Sequence, residues 1–408
     1  ALFLVWYICL DQKTYYLPHF LANSIIAASL WGPFYIDVLG WSLKIMFQVQ
    51  MVFQIFLILM EVPSGYLADK LGRNRMVGLA AFFLSVASIS YSQASNIGMV
   101  LFSEFLFAIA ISLISGSGEA LLVDTMYRFG YSDEDRQKEL SLYNSLIGMA
   151  YGVSAPVGSL LVPMFSLRQI IALGSIPYFM GFLFTFAIGK TQNEHPNPQL
   201  KIRNFFKSVK KIIIENRNKP KLLLSALDMI ILWGFLPTFY LSNVMYLRAL
   251  AIPLQYWGFY VLLSNVVPFF IVRKLNRKTE KLQRTNFNFG LSMVAGMIFL
   301  SFYFADPISL ALLYIVFTVA TNFKFGLLST EINNELDPET RSTALSIINL
   351  ISGLSRILFY GTFGVLAERN LFDYSLSGFL ILWSLGIGLF SLQRKFANQP
   401  TKGLETIS

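Results

Sequence analysis

The residues with the most chemical potential in this sequence are charged side chains inside long apolar stretches. A charge inside a bilayer is costly, and such residues usually face the interior of a helix bundle, where they pair with each other or bind a ligand or ion. A carboxylate kept away from water can take up a proton, and a buried cation can bind an anionic group. These residues are Glu61, Glu104, Glu119, Asp228, Lys324 and Arg356, with Asp124 near the end of a stretch.

Two uses of these charges are open on the sequence alone. Glu119, Asp228 and Lys324 could bind a ligand or a proton, but Glu119 or Asp228 could instead form a structural ion pair with Lys324. Arg356 could bind an anionic substrate group or tether a neighbouring carboxylate. For Glu61 a structural role is favoured over proton binding.

The other polar candidates give weaker signals. Asn23 and Asn322 could bind a ligand or another helix, a contact worth about 0.6 kcal/mol between membrane helices. Trp233 could form part of an aromatic wall against a flat or apolar solute. Glu104 is expected to reach water, because it lies near the outer end of its apolar stretch.

The composition indicates that membrane helices position these side chains. The chain has 408 residues, of which 55% are hydrophobic and 13% are charged, whereas a soluble domain is about 25% charged. Phe occurs 38 times, against 23 Asp and Glu together. Such a chain could not hide its apolar surface in a water-soluble core. We therefore expect an all-α integral membrane protein.

The sequence argues against several other classes of protein. The single Cys9 excludes a disulfide framework within the chain, and His19 and His195 are too far apart to suggest a metal site. The phosphate-binding pattern Gly-x-x-x-x-Gly-Lys-Ser/Thr does not occur in the sequence, so ATP drive is not expected. Neither a catalytic constellation nor a cofactor site emerges, and we expect no enzyme activity.

Apolar stretches separated by charged breaks predict twelve transmembrane helices. The predicted spans are 15–38, 44–68, 76–95, 98–123, 140–165, 168–189, 222–247, 254–272, 286–305, 307–330, 342–367 and 372–393. They form two six-helix bundles, 15–189 and 222–393, joined by a basic linker, 190–221. Residues 1–14 are a lead-in with no signal-peptide cleavage pattern, and 394–408 are a tail.

The distribution of Lys and Arg predicts the orientation. If both termini are cytoplasmic, the outer loops hold only Lys44, Arg168, Arg248 and Arg369, and the remaining loop cations lie inside. Short loops rich in Lys and Arg stay in the cytoplasm. The net charge of +9 therefore reflects membrane topology, and we expect no nucleic-acid partner.

Residues 65–75 combine small and charged residues between the second and third spans, where a loop is expected. Gly65, Ala68 and Gly72 permit a tight turn and close helix approach. The charged members, which can form ion pairs at neighbouring helix ends, are Asp69, Lys70, Arg73 and Arg75. The segment resembles the loop between helices two and three of the major facilitator superfamily, whose pattern is Gly-x-Leu-Ala-Asp-Arg/Lys-x-Gly-Arg-Arg/Lys.

Other segments extend this resemblance in sequence order. Residues 61–65, Glu-Val-Pro-Ser-Gly, resemble the lead-in of one bacterial branch of the superfamily. Residues 115–120, followed by Asp124, look like the Ser-Gly-x-x-Glu-Ala…Asp element of that branch, and 341–346 resemble its start of helix eleven. The fifth span, with Gly148, Gly152, Pro156 and Gly158, partly resembles a glycine–proline motif of proton-driven exporters.

The resemblance implies a fold and a set of roles. The fold would be two pseudo-symmetric six-helix bundles, with helices one, four, seven and ten around a central cavity. Glu119, Asp228 and Lys324 would then be able to face substrate. The loop motif would have a gating role, in which Asp69 and Arg73 latch the two halves in the outward-facing state and release them when the cytoplasmic side opens.

The expected function is secondary active transport of a small organic solute by alternating access, most simply proton-coupled efflux of a drug or metabolite. Two alternatives stay open: an importer of a small metabolite, and a non-transporting receptor on the same fold. We expect a multi-pass, monomeric protein of the plasma or inner membrane, whose partners are its substrate, a coupling proton and the lipid bilayer.

Overall fold

The computed structural model describes residues 20–71, 73–128, 130, 132–185, 219–276 and 341–368, together with most of 315–336. The predicted lead-in, most of the linker, the ninth and twelfth spans and the tail lie outside these residues and stay predictions. The described residues divide into two compact units. The first holds residues up to 185 and 242–269, and the second holds 219–241 and the described residues from 270 to 368.

All regular structure in the described residues is helical. The first unit begins with α1, Trp31–Pro33, which continues in a π-helical turn, Phe34–Val38. There follow α2 Leu43–Leu71, α3 Arg73–Gln93, α4 Ile97–Arg128, α5 Asp133–Leu160, α6 Leu167–Leu173 and α7 Ser175–Thr185. Beyond the linker come α8 Pro220–Ala249, a 3₁₀ turn Leu254–Tyr256, α9 Trp257–Asn276 and α10 Arg341–Glu368. Residues 315–335 are helical where they are described.

Several helical stretches among the described residues are long and apolar enough to cross a membrane. Five stretches meet both criteria: Leu43–Glu61, Arg75–Gln93, Ile97–Ser115, Leu167–Thr185 and Ile347–Glu368. Large apolar side chains are exposed on them, among them Leu59, Phe102 and Leu358. Exposed apolar surface on this scale would be unfavourable in water, whereas lipid tails solvate it well.

Helix α3 is central to the first unit and packs against α4, α6 and α7. The sixth predicted span is interrupted at Gly174 between α6 and α7, and the Gly174 N–H donates back to the Ile170 and Ile171 carbonyls. Two serines of α3 add hydrogen bonds to the backbone here: Ser88 Oγ donates to the Ile171 carbonyl at 2.6 Å, and Ser85 Oγ donates to the Ser175 carbonyl at 3.2 Å. The break is therefore stable in a membrane, where water cannot satisfy backbone groups.

Arg168 closes the other end of this interface. Its guanidinium donates to the carbonyls of Ser92 and Ala94 at 2.9 and 2.7 Å, where α3 ends. A cation is favourable at a helix C-terminus because it satisfies the last carbonyls and complements the helix dipole. The same guanidinium lies 5.7 Å from the centroid of the Phe34 ring. Arg168 thus joins α6 to α3 and to the π-helical turn.

Small residues of α5 allow close approach of two neighbours. A Cβ on Gly258 of α9 would overlap the Ala155 carbonyl, and one on Gly158 would overlap the Ile26 carbonyl. The prediction of a continuous helix over 15–38 is wrong for residues 23–30, which form turns. The Ile26 carbonyl, which belongs to these turns, lies against Gly158, where the absence of a side chain leaves room for it.

The prediction of a loop over 65–75 is also wrong in part. Helix α2 extends to Leu71 and α3 begins at Arg73. Leu67, Ala68 and Lys70 are good helix formers, and a single glycine costs only about 1 kcal/mol in a helix. The helical propensity of this segment therefore carries α2 further than its charges suggested.

In the second unit, α8 and α10 pack closely. A Cβ on Gly234 of α8 would overlap the side chain of Ser355 on α10. One residue further on, the Phe235 ring packs against Phe359 and Phe363 at centroid distances of 5.7 Å. The contact sets the distance between two helices that carry predicted site residues.

Candidate substrate and proton site

Asp228 on α8 and Lys324 on the 315–336 segment form a buried ion pair. The Lys324 ammonium donates to Asp228 Oδ1 at 2.8 Å. Asp228 is 2% exposed and Lys324 is 4% exposed. This is the pairing that the sequence left open as one alternative. Desolvating both charges costs several kcal/mol per ion, so the arrangement needs good geometry to be tolerated.

Asp228 has an unused acceptor. Its second oxygen, Oδ2, is buried and has no hydrogen-bond partner among the described residues. A buried carboxylate oxygen left in this state costs free energy, which a donor from a ligand or a bound proton would recover. The pair therefore has both a fixed cation and an open position for a hydrogen-bond donor.

Further polar contacts join the same two helices. Ser225 Oγ donates to Glu331 Oε2 at 3.1 Å, and Lys219 Nζ donates to the Glu335 carbonyl at 2.9 Å. Lys219 is nine residues before Asp228, about 14 Å along a helix. The contacts therefore run from the start of α8 to the buried ion pair and keep one face of α8 against the 315–336 segment.

Arg356 on α10 contacts α8 through Trp233. Its Nε donates to the Trp233 carbonyl at 3.3 Å, and its guanidinium carbon is 5.7 Å from the centroid of the indole ring. On the 315–336 segment, the Phe325 ring meets Trp233 edge to face at 4.9 Å. Trp233 is thus packed between a cation and a second aromatic ring. Asn322, another predicted site residue on the 315–336 segment, is exposed.

The described residues bring only part of the predicted site together. Asp228, Lys324, Trp233 and Arg356 all belong to the second unit. In the first unit, Glu61 is exposed on α2, and Asn23 is partly buried at the end of a helical turn. Glu119 and Asp124 belong to the α4 backbone, but their side chains lie outside the described residues.

Little of the predicted gating motif is described. Arg75 has an exposed side chain in the first turn of α3. The backbone is helical at Gly65, Asp69, Lys70 and Arg73, whose contacts lie outside the description, and Gly72 is not among the described residues. The gating role stays a prediction.

Sequence reasoning missed a second buried carboxylate. Glu104 on α4, expected to reach water, is only 5% exposed, so that expectation is wrong. Its Oε1 accepts hydrogen bonds from Tyr91 Oη at 2.8 Å, Tyr35 Oη at 3.1 Å and Gln50 Nε2 at 2.8 Å. The two tyrosine hydroxyls also contact each other. We call these four residues the Glu104 cluster.

The Glu104 cluster is enclosed by aromatic rings. Tyr91 packs against Trp31, Phe34 and Phe107 at centroid distances of 4.7, 5.8 and 5.9 Å. The donors come from α2, α3 and the π-helical turn, so periodicity within one helix could not reveal them. The only signal in the sequence was the presence of polar residues in four successive apolar spans.

This fold and these buried charges are typical of multi-pass membrane transport proteins, and the comparisons agree. The sequence profile of the Major Facilitator Superfamily matches residues 15–360, so the chain belongs to that superfamily. A relative, the uncharacterised MFS-type transporter MJ1560 of Methanocaldococcus jannaschii, is 21% identical over 360 residues, which cover 82% of this chain and 84% of the relative.

Solved structures show the same fold. A variant of the nucleoside transporter NupG has a TM-score of 0.73 at 15% identity and covers 94% of this chain and 98% of its own. A D-xylose–proton symporter has a TM-score of 0.72 at 12% identity, with coverage of 94% and 96%. The peptide transporter POT in complex with sulfate scores 0.70 at 13%, with coverage of 94% and 92%. The predicted fold class, an all-α membrane protein with the major facilitator fold, is confirmed.

Proposed function

We propose that this chain is a secondary active transporter that moves a small organic solute by alternating access and couples that movement to protons. The observation that carries the proposal is the buried Asp228–Lys324 pair, whose Asp228 Oδ2 has no partner among the described residues. Structural ion pairs usually satisfy both carboxylate oxygens. A pair with one open acceptor position is suited to exchange a proton or a substrate donor.

The coupling would work through competition for Asp228. When Asp228 is ionised, it holds the Lys324 ammonium at 2.8 Å. When the carboxyl takes up a proton, its attraction for the ammonium falls, and the contact between α8 and the 315–336 segment weakens. A solute held through a hydrogen-bond donor on the open Oδ2 of the ionised carboxylate would then be released, and loss of the proton would restore the pair and the open acceptor. Proton and substrate would thus be bound in alternation.

The neighbouring groups suggest what the solute looks like. Trp233 and Phe325 offer aromatic surface next to the cation of Arg356. Aromatic faces favour flat or apolar solutes, and guanidinium groups bind carboxylate or phosphate. We therefore expect an amphiphilic organic compound with an aromatic or apolar body and at least one hydrogen-bond donor.

Efflux is the direction we propose, in keeping with residues 61–65 and 115–124, which resemble a bacterial branch of the superfamily. Uptake is the second candidate, favoured by the likeness in fold to a D-xylose–proton symporter. The excess of Lys and Arg in the predicted inner loops supports an orientation with both termini in the cytoplasm, and the membrane we propose is the plasma or inner membrane.

Everted membrane vesicles test this function. A pH-sensitive dye reports the proton gradient while nucleosides, sugars, peptides and amphiphilic drugs are added one at a time. We expect at least one compound to dissipate the gradient with this protein and not with vesicles that lack it. The Asp69→Asn variant is the matched control for the predicted gating motif and should slow this response. If no compound moves protons although one binds, proton coupling is wrong.

A further inference from the structure

The Glu104 cluster requires one more proton than its tyrosines provide. Three oxygens contact one another pairwise: Tyr35 Oη, Tyr91 Oη and Glu104 Oε1. Each contact needs one hydrogen if it is to be a hydrogen bond, which makes three. The two phenols carry one each, and Gln50 donates to the carboxylate from outside this triangle. An ionised Glu104 therefore leaves one of the three contacts without a hydrogen.

A proton on Glu104 completes the ring. The carboxyl would donate to one tyrosine, that tyrosine to the other, and the second tyrosine back to Glu104, so that every oxygen donates once and accepts once. Hydrogen bonds in such a closed chain polarise one another and become stronger. The geometry therefore accommodates the protonated acid better than the anion, which leaves one contact without a hydrogen.

Two charged groups on the surrounding elements are engaged elsewhere. Arg168 of α6 donates to the Ser92 and Ala94 carbonyls, and Asp37 of the π-helical turn is ion-paired with Arg248 of α8. Lys44 lies in the first turn of α2, about 9 Å before Gln50 along the helix. The groups that contact the Glu104 carboxyl from α2, α3 and the π-helical turn are all neutral. No cation among the described contacts of Glu104 holds it in the charged form.

We propose that Glu104, Tyr35 and Tyr91 form a proton-binding site in the first unit, separate from the Asp228–Lys324 pair of the second. One proton is taken up by the Glu104 carboxyl and closes the ring of three hydrogen bonds, and the same proton is released when the ring opens. The proposal that Glu104 binds a proton does not depend on the proposed function. The proposal that this proton takes part in coupling rests on it.

The position of Tyr35 gives this site a route to the transport cycle. Tyr35 shares its π-helical turn with Asp37, whose carboxylate pairs with Arg248 at the end of α8. A change in the hydrogen bonds of Tyr35 would shift this turn and with it the Asp37–Arg248 contact. Proton binding at Glu104 could thus bias the end of the helix that carries Asp228.

Infrared difference spectroscopy of the full-length protein tests the proton site without any transport. The protonated-carboxyl band is followed across about pH 5 to 9, and Glu104→Gln is compared with the wild type. We expect a band that appears as the pH falls and is absent from Glu104→Gln. Tyr91→Phe, which removes a ring donor, should move the midpoint of that band. A wild-type spectrum without any band that depends on Glu104 would overturn the proposal.

The two proposals fail in distinguishable ways. If wild-type vesicles show no compound-dependent proton movement but the Glu104 band titrates, the proton site stands and proton coupling is wrong. If coupling is present and no Glu104 band is found, the proton site is wrong. If Glu104→Gln does not fold, Tyr91→Phe alone tests the proton site. A carboxyl band whose midpoint is the same in Tyr91→Phe and in the wild type would overturn the proposed ring of hydrogen bonds.

Discussion

Glu104 in the first unit and Asp228 in the second are both almost completely buried, yet they are stabilised by different partners. Glu104 accepts three hydrogen bonds from neutral donors on other elements, whereas Asp228 contacts the ammonium of Lys324 and keeps one oxygen without a partner among the described residues. The first arrangement tolerates a neutral acid, while the second depends on opposite charges. The two sites should therefore respond very differently to removal of one charge.

The arginines of the two units are alike in one respect. Arg168 and Arg356 each lie 5.7 Å from an aromatic centroid and donate to backbone carbonyls. Arg168 donates to the carbonyls of Ser92 and Ala94. The described backbone contact of Arg356 is with the carbonyl of Trp233. In neither unit does a described contact join the arginine to the buried carboxylate.

The largest effect is expected when the ion pair loses its cation. Lys324→Met would strand the Asp228 carboxylate in an apolar surrounding and should cost about 3–5 kcal/mol of unfolding free energy. Asp228→Val in the same chain should recover most of this loss, because the double variant buries no charge. Thermal unfolding in detergent measures both. Equal stability of Lys324→Met and wild type would remove the distinction between the two sites.

A smaller effect is expected at the arginines. Arg168→Lys would replace the Nη1 group that donates to two carbonyls and would remove the guanidinium from the Phe34 ring. Hydrogen bonds to charged groups contribute about 1.5–3 kcal/mol. Arg356→Lys, whose guanidinium lies at the same distance from a ring centroid, is the matched control for the aromatic contact. The unfolding temperatures of both variants are compared with that of the wild type. An Arg168→Lys variant as stable as the wild type would contradict this role of Arg168.

At Glu104 the isosteric change should be mild. Glu104→Gln keeps an uncharged carbonyl oxygen as acceptor for the Tyr91, Tyr35 and Gln50 donors, so we expect a loss below about 1 kcal/mol. Glu104→Leu would remove the acceptor that Tyr91, Tyr35 and Gln50 share and should cost about 1–3 kcal/mol. Chemical unfolding of both variants provides the comparison. A severe loss in Glu104→Gln would mean that the cluster needs the anion.

The smallest effect is expected at the exposed ion pair of Asp37 and Arg248, whose side chains are 42% and 37% accessible. Partly exposed pairs contribute about 0.2–1 kcal/mol and are screened by salt. Arg248→Gln should therefore lower the unfolding temperature slightly at low ionic strength and hardly at all at high ionic strength. A large fall in unfolding temperature that persists at high ionic strength would show that salt does not screen this pair.

Most of the helices could be predicted from the sequence, because a long apolar run between charged residues is typical of a membrane-spanning helix and of few other structures. Helices α3, α8 and α10 begin or end within about three residues of their predicted limits. The turns at 23–30 and the break at Gly174 were missed, since both depend on partners distant in the chain: Gly158 for the first, Ser85 and Ser88 for the second.

The two buried carboxylates show where prediction of the site ends. The pairing of Asp228 with Lys324 could be named in advance because two opposite charges inside apolar spans have an evident reason to meet. Glu104 could not, since its partners are uncharged and come from positions 35, 50 and 91. Apolar spans contain many Tyr and Gln side chains, and only the packing of several helices selects those that converge.

The central claim is that the Asp228–Lys324 pair carries the coupling between proton and solute. The most direct measurement is compound-dependent proton flux in proteoliposomes, comparing wild type with the Asp228→Val/Lys324→Met double variant, which should fold. We predict that the wild type collapses an imposed pH gradient when its solute is added, and that the double variant leaves the gradient intact. A double variant with wild-type coupled flux would contradict the claim.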